Sequence, residues 1–173
     1  MKESIIVLMG VSGCGKTVVG KTLAEKLGVP FVEGDEFHSP ENLAKMSSGV
    51  PLDDRDRKGW FHAVREAMQT QPGSAIVSCS ALKKKHREFL ADASKTVRFV
   101  HLDGERELLK KRIQSRIGHF FDPKLLDSQL ASLEKPAPDE GALAVNVEPS
   151  VQKIVAFIQS RLEASDQSLE NSS

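Results

Sequence analysis

The sequence has 173 residues, which is long enough for one domain that buries a sizeable core. Its 24 basic and 24 acidic side chains give a formal net charge of zero, which argues against a generic binder of nucleic acids or anionic membranes. Apolar residues make up 39% and charged residues 28% of the chain, an ordinary composition for a globular protein.

The first apolar run, SIIVLM, is too short for a secretory signal or a membrane span. We therefore expect a cytoplasmic protein with no membrane or nucleic-acid partner. The two cysteines, Cys14 and Cys79, are expected to be free thiols in a reducing compartment.

Apolar runs and helical stripes alternate along the chain. Short β-rich runs predict strands at 4–9, 29–33, 75–79, 97–102 and 143–147. Amphipathic stripes with caps and breakers at their ends predict helices at 15–27, 40–46, about 54–71, 83–92, about 105–116, 124–133 and 151–162. The alternation predicts an α/β fold, a five-stranded parallel sheet flanked by helices on both faces.

The domain limits follow from the same pattern. We expect one domain over residues 1–164 and a frayed tail over 165–173, because the last residues lack an apolar face. About 40 residues separate the fourth and fifth predicted strands, a length that often supplies a mobile lid. The helical lid is expected at about 117–135.

The motif between the first strand and the first helix indicates phosphate binding. GVSGCGKT fits the P-loop pattern G-x-x-x-x-G-K-[ST]. Glycines let backbone N–H groups turn toward phosphate oxygens, and the helix N-terminus adds a partial positive charge. Lys16 can reach the β and γ phosphates, and Thr17 can offer its hydroxyl to Mg²⁺. The expected nucleotide site consists of Gly10, Val11, Ser12, Gly13, Cys14, Gly15, Lys16 and Thr17.

This loop alone does not define the reaction. The guanine-reading motif N-K-x-D of switch GTPases is absent from the sequence. The small size of the chain therefore favours a small-molecule kinase.

Residues after the second strand form the candidate acceptor side. In a doubly wound sheet the carboxyl ends of the strands line the ligand crevice, and Asp35 lies at such an end. A carboxylate there can accept the hydrogen of an attacking alcohol and aim its oxygen at the γ-phosphorus. Two alternatives stay open: Asp35 on Mg²⁺, and Asp35 as a turn or cap residue. His38 and Asn42 are neutral groups suited to sugar hydroxyls, although Asn42 is also typical of a cap.

Two basic segments can supply cations to the same crevice. Arg55 and Arg57 lie in DDRDR, and a guanidinium near the crevice can hold a carboxylate through two parallel bonds. After the third strand, SCSALKKKHRE can bring the backbone N–H groups of Ser80 and Ala81 near a substrate. The same segment supplies the cations Lys83, Lys84 and Arg87. Taken alone, DDRDR is more typical of a solvated helix face, and the lysines of the second segment fit a solvated basic helix equally well.

Four segments together resemble the gluconate kinase family, small P-loop kinases with a shikimate-kinase-like fold. The segments are GVSGCGKT, GDEFHSPENLAKMSSGVPLDDRDRKGW, CSALKKKHREFL and RIGHFFDPKLLDSQLASLEKP, in this order between residues 10 and 136. The resemblance implies transfer of the ATP γ-phosphoryl group to the 6-hydroxyl of D-gluconate, with Mg²⁺, in a homodimeric enzyme. A related kinase for another small hydroxy acid, such as shikimate, is the alternative.

The resemblance also implies roles for individual residues. Lys16 and Asp35 would be catalytic, as would Arg116, a lid arginine that stabilises charge on the transferred phosphoryl group. Arg112 is a second candidate for that role, although it equally fits a solvated helix face. The implied gluconate contacts are Asp35, His38, Arg57, Ser80, Ala81, Lys83 and Lys84. His119 would make a packing or polar contact in the lid rather than act as a general base, and Phe120 and Phe121 would pack the lid. Cys14, Gly59 and His86 depart from the family's usual residues without removing a group that the chemistry needs.

Overall fold

The first apolar run forms the central strand of a parallel sheet. The computed structural model describes residues 3–93, 95–115 and 123–170. Strand β1 covers Ser4–Met9, and all six of its residues are buried. It has a parallel neighbour on each side, with Ile5 opposite both Ala75 and Val97. A strand that is buried on both faces gives a continuous apolar run, which explains why its bounds were predictable.

Four more strands and seven helices complete the described part of the chain. The strands are β2 Phe31–Glu33, β3 Ala75–Ser78, β4 Thr96–Asp103 and β5 Leu143–Asn146, in the sheet order β2-β3-β1-β4-β5. The helices are α1 Lys16–Leu27, α2 Pro40–Ser47, α3 Asp54–Thr70, α4 Lys84–Ala91, α5 Arg106–Gln114, α6 Pro123–Ser132 and α7 Val151–Glu170. Short 3-10 turns lie at Gly34–Phe37 and Pro138–Glu140. Every strand pair is parallel, so the predicted five-stranded parallel α/β fold is confirmed.

Side-chain alternation along β1 divides the core between the two faces of the sheet. Ile6 and Leu8 pack in an apolar cluster with residues from α1, α5 and α7. Ile5, Val7 and Met9 pack in a second cluster with residues from α3 and α4. Successive residues of a strand point to opposite faces, so this one strand supports both helical layers.

Side-chain caps set the start of two helices on the acceptor side. The Ser39 hydroxyl accepts the Asn42 N–H at 3.1 Å at the start of α2. The Asp53 carboxylate accepts the Asp56 N–H at 2.8 Å at the start of α3, and Asp56 returns the bond to the Asp53 N–H. Both caps satisfy N–H groups that the helix itself leaves unpaired, as the sequence pattern predicts.

The C-terminal helix corrects one expectation. The sequence predicts a helix end at 162 and a frayed tail over 165–173, whereas α7 continues through Glu170. Arg98 of β4 donates to Asp166, and this ion pair ties the polar end of α7 to the sheet. A contact across 68 residues leaves no trace in local sequence pattern. Among the described residues, no helix is long and apolar enough to cross a membrane.

Candidate active site

One large cavity opens at the carboxyl ends of β1, β2 and β3. Its volume is about 950 Å³. It is lined by the phosphate loop, the turn after β2, the start of α3, Ser80 after β3, and part of α6. The predicted site residues on its wall are Ser12, Gly13, Gly15, Lys16, Thr17, Asp35, His38, Arg57 and Ser80. The fold therefore brings the candidate donor and acceptor sides into one space.

The phosphate loop has the backbone that its glycines predict. Gly13 and Gly15 have φ of 82° and 94°, in the left-handed region that favours glycine. Gly15 is the N-cap of α1 and makes no side-chain cap, so the first N–H groups of the helix are left for an anion. The Lys16 ammonium donates to the carbonyls of Gly10 at 3.0 Å and Val11 at 3.3 Å.

Two predicted loop residues contribute through their backbone alone. The side chains of Val11 and Cys14 point into the core, and the residues are 3% and 1% exposed. The Cys14 sulfur lies 4.0 Å from the Lys16 ammonium. The thiol therefore packs beneath the loop and does not face the cavity.

Glu33 is a site residue that sequence reasoning missed. It is the last residue of β2, and its Oε2 accepts the Thr17 hydroxyl at 2.5 Å. Its other oxygen accepts the Ser78 hydroxyl. Its position in the sequence could have indicated this role, because Glu33 is a carboxylate at the end of a predicted strand, two residues before Asp35. Thr17 and Glu33 thus place a hydroxyl and a carboxylate oxygen beside the phosphate loop, and oxygen ligands of this kind suit Mg²⁺.

The turn that carries Asp35 is held on both sides of Gly34. The Gly34 N–H donates to the Ser78 hydroxyl at 3.1 Å, and its carbonyl accepts the Trp60 indole N–H at 2.6 Å. A Cβ on Gly34 would lie 2.0 Å from the Ser78 carbonyl oxygen, so only glycine fits. The Asp35 side chain itself is 66% exposed and lines the cavity. Trp60 lies 26 residues from Gly34 in the sequence, so no local pattern indicated that it supports this turn.

His38 lies beside Asp35 as a neutral imidazole. Its ring stacks on Trp60 at a centroid distance of 4.2 Å. Burial lowers the pKa of His38; the Asp35 carboxylate opposes this shift and the Arg57 charge adds to it. The Asn42 amide nitrogen lies 3.4 Å from the His38 Nδ1. Because the amide donates to Nδ1, the ring proton is on Nε2, which lies 3.8 Å from the Asp35 carboxylate.

Asn42 itself supports His38 and lies apart from the cavity wall. Its amide also donates to the Asp56 carbonyl at 2.9 Å, and the residue is 4% exposed.

Of the two arginines in DDRDR, Arg57 faces the cavity and Arg55 faces solvent. The Arg55 side chain is 96% exposed. Burial lowers the pKa of the Arg57 guanidinium, and the carboxylates of α3 and its cap oppose the shift. Within residues 3–93, 95–115 and 123–170, no carboxylate oxygen comes within 4.0 Å of the Arg57 guanidinium nitrogens. This cation is therefore available to an anionic ligand.

The segment after β3 meets the cavity at Ser80 only. The Ser80 carbonyl accepts the Gly10 N–H at 3.2 Å, which joins this segment to the phosphate loop. Ala81 is fully buried. The ammonium of Lys83 lies 3.1 Å from Asp54, and that of Lys84 lies 3.4 Å from Asp139.

The structure therefore does not bring the Lys83 and Lys84 ammonium groups to the cavity, because acidic partners on other elements hold them. Arg87 is also withdrawn from it, since its guanidinium is buried against Glu140.

Of the segment predicted to form a lid, about 117–135, the structure describes α6 and the residues that follow it. The Gln129 side-chain oxygen accepts the Ser12 N–H at 2.7 Å, so α6 contacts the phosphate loop directly. Arg112 donates to the Val147 carbonyl at 2.6 Å and does not line the cavity. Other predicted lid residues lie outside the described residues: Arg116, His119, Phe120 and Phe121.

The parallel sheet, the phosphate loop and the acidic turn after β2 define a P-loop kinase. The family model for shikimate kinase matches residues 12–160. A gluconokinase of Gluconobacter oxydans (strain 621H) is 40% identical over 169 residues, covering 96% of this chain and 95% of the relative. The thermoresistant gluconokinase of Escherichia coli (strain K12) is 38% identical over 156 residues, covering 88% of this chain and 89% of the relative.

Among solved structures, a gluconokinase from Sinorhizobium meliloti 1021 superposes with a TM-score of 0.91 at 40% identity. The match covers 99% of this chain and 98% of that one. The chain therefore belongs to the shikimate kinase family of P-loop kinases and, within it, to the gluconokinases. The family that the four segments resemble is confirmed.

Proposed function

We propose that this chain is an ATP-dependent gluconokinase that phosphorylates D-gluconate at its 6-hydroxyl to give 6-phospho-D-gluconate and ADP. The observation that carries the proposal is that the phosphate loop, Asp35 and Arg57 line one cavity. A phosphate donor, a hydroxyl acceptor and a carboxylate can all be held there at once. The identity of about 40% with curated gluconokinases along most of the chain supports the choice of substrate.

The donor half fits the triphosphate of ATP. The free N–H groups at the start of α1 bind phosphate oxygens, and Lys16 leaves the loop carbonyls for the β and γ phosphates. Thr17 and Glu33 would hold Mg²⁺, either directly or through water. The metal would neutralise charge that develops on the transferred group.

The acceptor half fits a linear sugar acid. Asp35 is the base in this proposal: it accepts the hydrogen of the 6-hydroxyl as the oxygen attacks, which orients the nucleophile. Neutral His38 donates its Nε2–H to a sugar hydroxyl, and Arg57 binds the carboxylate through its planar fork. Ser80 lies on the same wall. Lys83 and Lys84 are left out of the proposed contacts because Asp54 and Asp139 hold them.

The lid completes the site in this proposal. Gln129 couples α6 to the phosphate loop through Ser12, so nucleotide binding and lid position are linked. Closure over the ligands would exclude water and bring Arg116 to the transferred phosphoryl group.

We also propose a homodimer, on the family resemblance alone, and a cytoplasmic location. Light scattering tests the first part: a particle of twice the chain mass of 19.0 kDa is expected, and a monomer at micromolar concentration would refute it.

A coupled ADP-release assay tests the proposed function. The purified protein is offered ATP and Mg²⁺ with gluconate, shikimate, and a set of sugar acids and neutral polyols. We expect turnover that depends on gluconate and is weak with the neutral polyols, because these lack the carboxylate for Arg57. Turnover of another acid without turnover of gluconate would overturn the assignment.

A further inference from the structure

Arg87 is a buried cation that the proposed chemistry does not use. It lies on α4 and is 2% exposed. Its Nε and Nη2 donate to the two oxygens of Glu140 at 2.6 and 2.9 Å. Its Nη1 donates to the carbonyls of Ala81 at 3.1 Å and Leu82 at 3.2 Å. A buried charge is costly unless its hydrogen bonds are satisfied, so this guanidinium is committed to Glu140 and to the chain after β3.

The backbone that Arg87 holds is strained and adjoins the cavity. Ala81 has φ of 42°, in the left-handed region, and no other non-glycine residue in the described part of the chain has a positive φ. Such a conformation persists only where its surroundings enforce it. Ser80, one residue earlier, lines the cavity and accepts the Gly10 N–H of the phosphate loop. The Arg87 bonds to the Ala81 and Leu82 carbonyls therefore fix the chain next to Ser80, on the cavity wall.

The anionic partner comes from the connection that follows α6. Glu140 ends the 3-10 turn Pro138–Glu140, and its Oε1 also accepts the Ala137 N–H at 2.9 Å. Earlier in the same connection, the Glu134 N–H donates to the Leu82 carbonyl at 2.8 Å. The Glu134 side chain accepts the Lys84 N–H at 2.7 Å. The connection between α6 and β5 thus holds the acceptor segment at several points.

We propose that Arg87 and Glu140 are positioning residues for the acceptor: they hold the backbone of residues 80–82 where Ser80 can contact the sugar acid. Neither side chain lines the cavity, so both act through Ser80. The inference rests on the proposed function for the identity of the acceptor. It assigns Arg87 to the support of the site, whereas the sequence alone offered it as a substrate cation.

Arg87→Lys and Glu140→Gln test this role. An ammonium cannot reproduce the planar fork on Glu140 together with the two carbonyl bonds. We expect the KM for gluconate to rise about 10-fold in each variant, equal to one lost interaction of about 1.4 kcal/mol, with the KM for ATP within about twofold of wild type. Kinetics are measured well below the unfolding midpoint of each variant and normalised to folded protein by circular dichroism.

Arg98→Lys is the matched control. Arg98 also forms an ion pair with a carboxylate, Asp166, but it joins β4 to α7 and neither residue lines the cavity. This variant should lose stability and keep both KM values. Glu140→Gln preserves the shape and one oxygen acceptor of the native side chain. It therefore tests the positioning role even if Arg87→Lys does not fold.

The outcomes separate this inference from the proposed function. Wild-type turnover of gluconate decides the function; if another acid is the true substrate, the same KM comparison is made with that acid. A rise in the acceptor KM alone supports the positioning role. Wild-type KM values in variants that have only lost stability would overturn it, because the pair would then serve the fold alone.

Discussion

Trp60→Phe removes one hydrogen-bond donor from the turn that carries Asp35 and keeps an aromatic ring in its place. In the native structure the indole N–H donates to the Gly34 carbonyl at 2.6 Å. The same ring stacks on His38 at 4.2 Å. The substitution therefore removes the indole donor to this turn and leaves an aromatic ring to stack on His38.

The expected losses of stability and rate follow from the hydrogen bond and the ring volume that the substitution removes. A carbonyl that loses its buried partner costs about 1–3 kcal/mol, and the smaller ring leaves a small void, so we expect a loss of about 2–3 kcal/mol in unfolding free energy. Displacement of a reacting group by about 1 Å can cost about 100-fold in rate. With Gly34 released on its carbonyl side, we expect kcat to fall about 10–100-fold. The KM for ATP should change by less than about threefold, because Ser78 still holds the Gly34 N–H and the Glu33 carboxylate.

Steady-state kinetics with gluconate and ATP, together with urea unfolding, measure both effects. Val64→Ala is the control: Val64 lies one turn further along α3 and is fully buried in the same cluster as Trp60. It should lose about 2 kcal/mol of stability from methyl deletion and cavity formation. Its kcat should stay near wild type. If Trp60→Phe lost stability like Val64→Ala and kept its kcat, the indole bond would have no part in positioning Asp35.

Three further substitutions test the remaining proposed roles. Asp35→Asn should lower kcat about 100-fold or more, since an amide cannot accept the hydroxyl proton, while calorimetry should find ATP affinity largely kept; unchanged turnover would remove Asp35 from the base role. Arg57→Gln should raise the KM for gluconate about 10–100-fold through loss of a charge-assisted pair, and exposed Arg55→Gln is its control; equal effects of the two would contradict the assignment. Gln129→Leu should raise the KM for ATP about 3–10-fold because Ser12 loses its acceptor, and an unchanged value would argue against coupling of α6 to the loop.

Local sequence determined the elements and the donor loop. The run Ser4–Met9 was assigned to its observed bounds, because a strand buried on both faces carries a nearly continuous apolar run. Capping residues indicated the starts of α2 and α3, with Asp53 and Asp54 both possible for α3, because a cap acts on an N–H only three residues away. The glycine spacing of GVSGCGKT likewise defines its own backbone. Each of these signals operates within a few residues, so it is present in the sequence itself.

Tertiary structure decided which charged and polar groups face the cavity. DDRDR offered two arginines, and the packing of α3 turned Arg57 to the cavity and Arg55 to solvent. The segment after β3 offered the cations Lys83, Lys84 and Arg87, and acidic partners on α3 and in the Pro138–Glu140 turn pair with them away from the cavity.

The supports of the acceptor side were invisible for the same reason. Trp60 and Gly34 are 26 residues apart, and Arg87 and Glu140 are 53 apart. Periodicity and capping act within one or two helical turns, whereas these pairs form only when the sheet brings distant elements together. The sequence by itself indicated the phosphate loop, the candidate acid Asp35 after the second strand, and the family. Only the tertiary structure decided that Arg57 faces the cavity while Arg55 faces solvent, and that Arg87 pairs with Glu140.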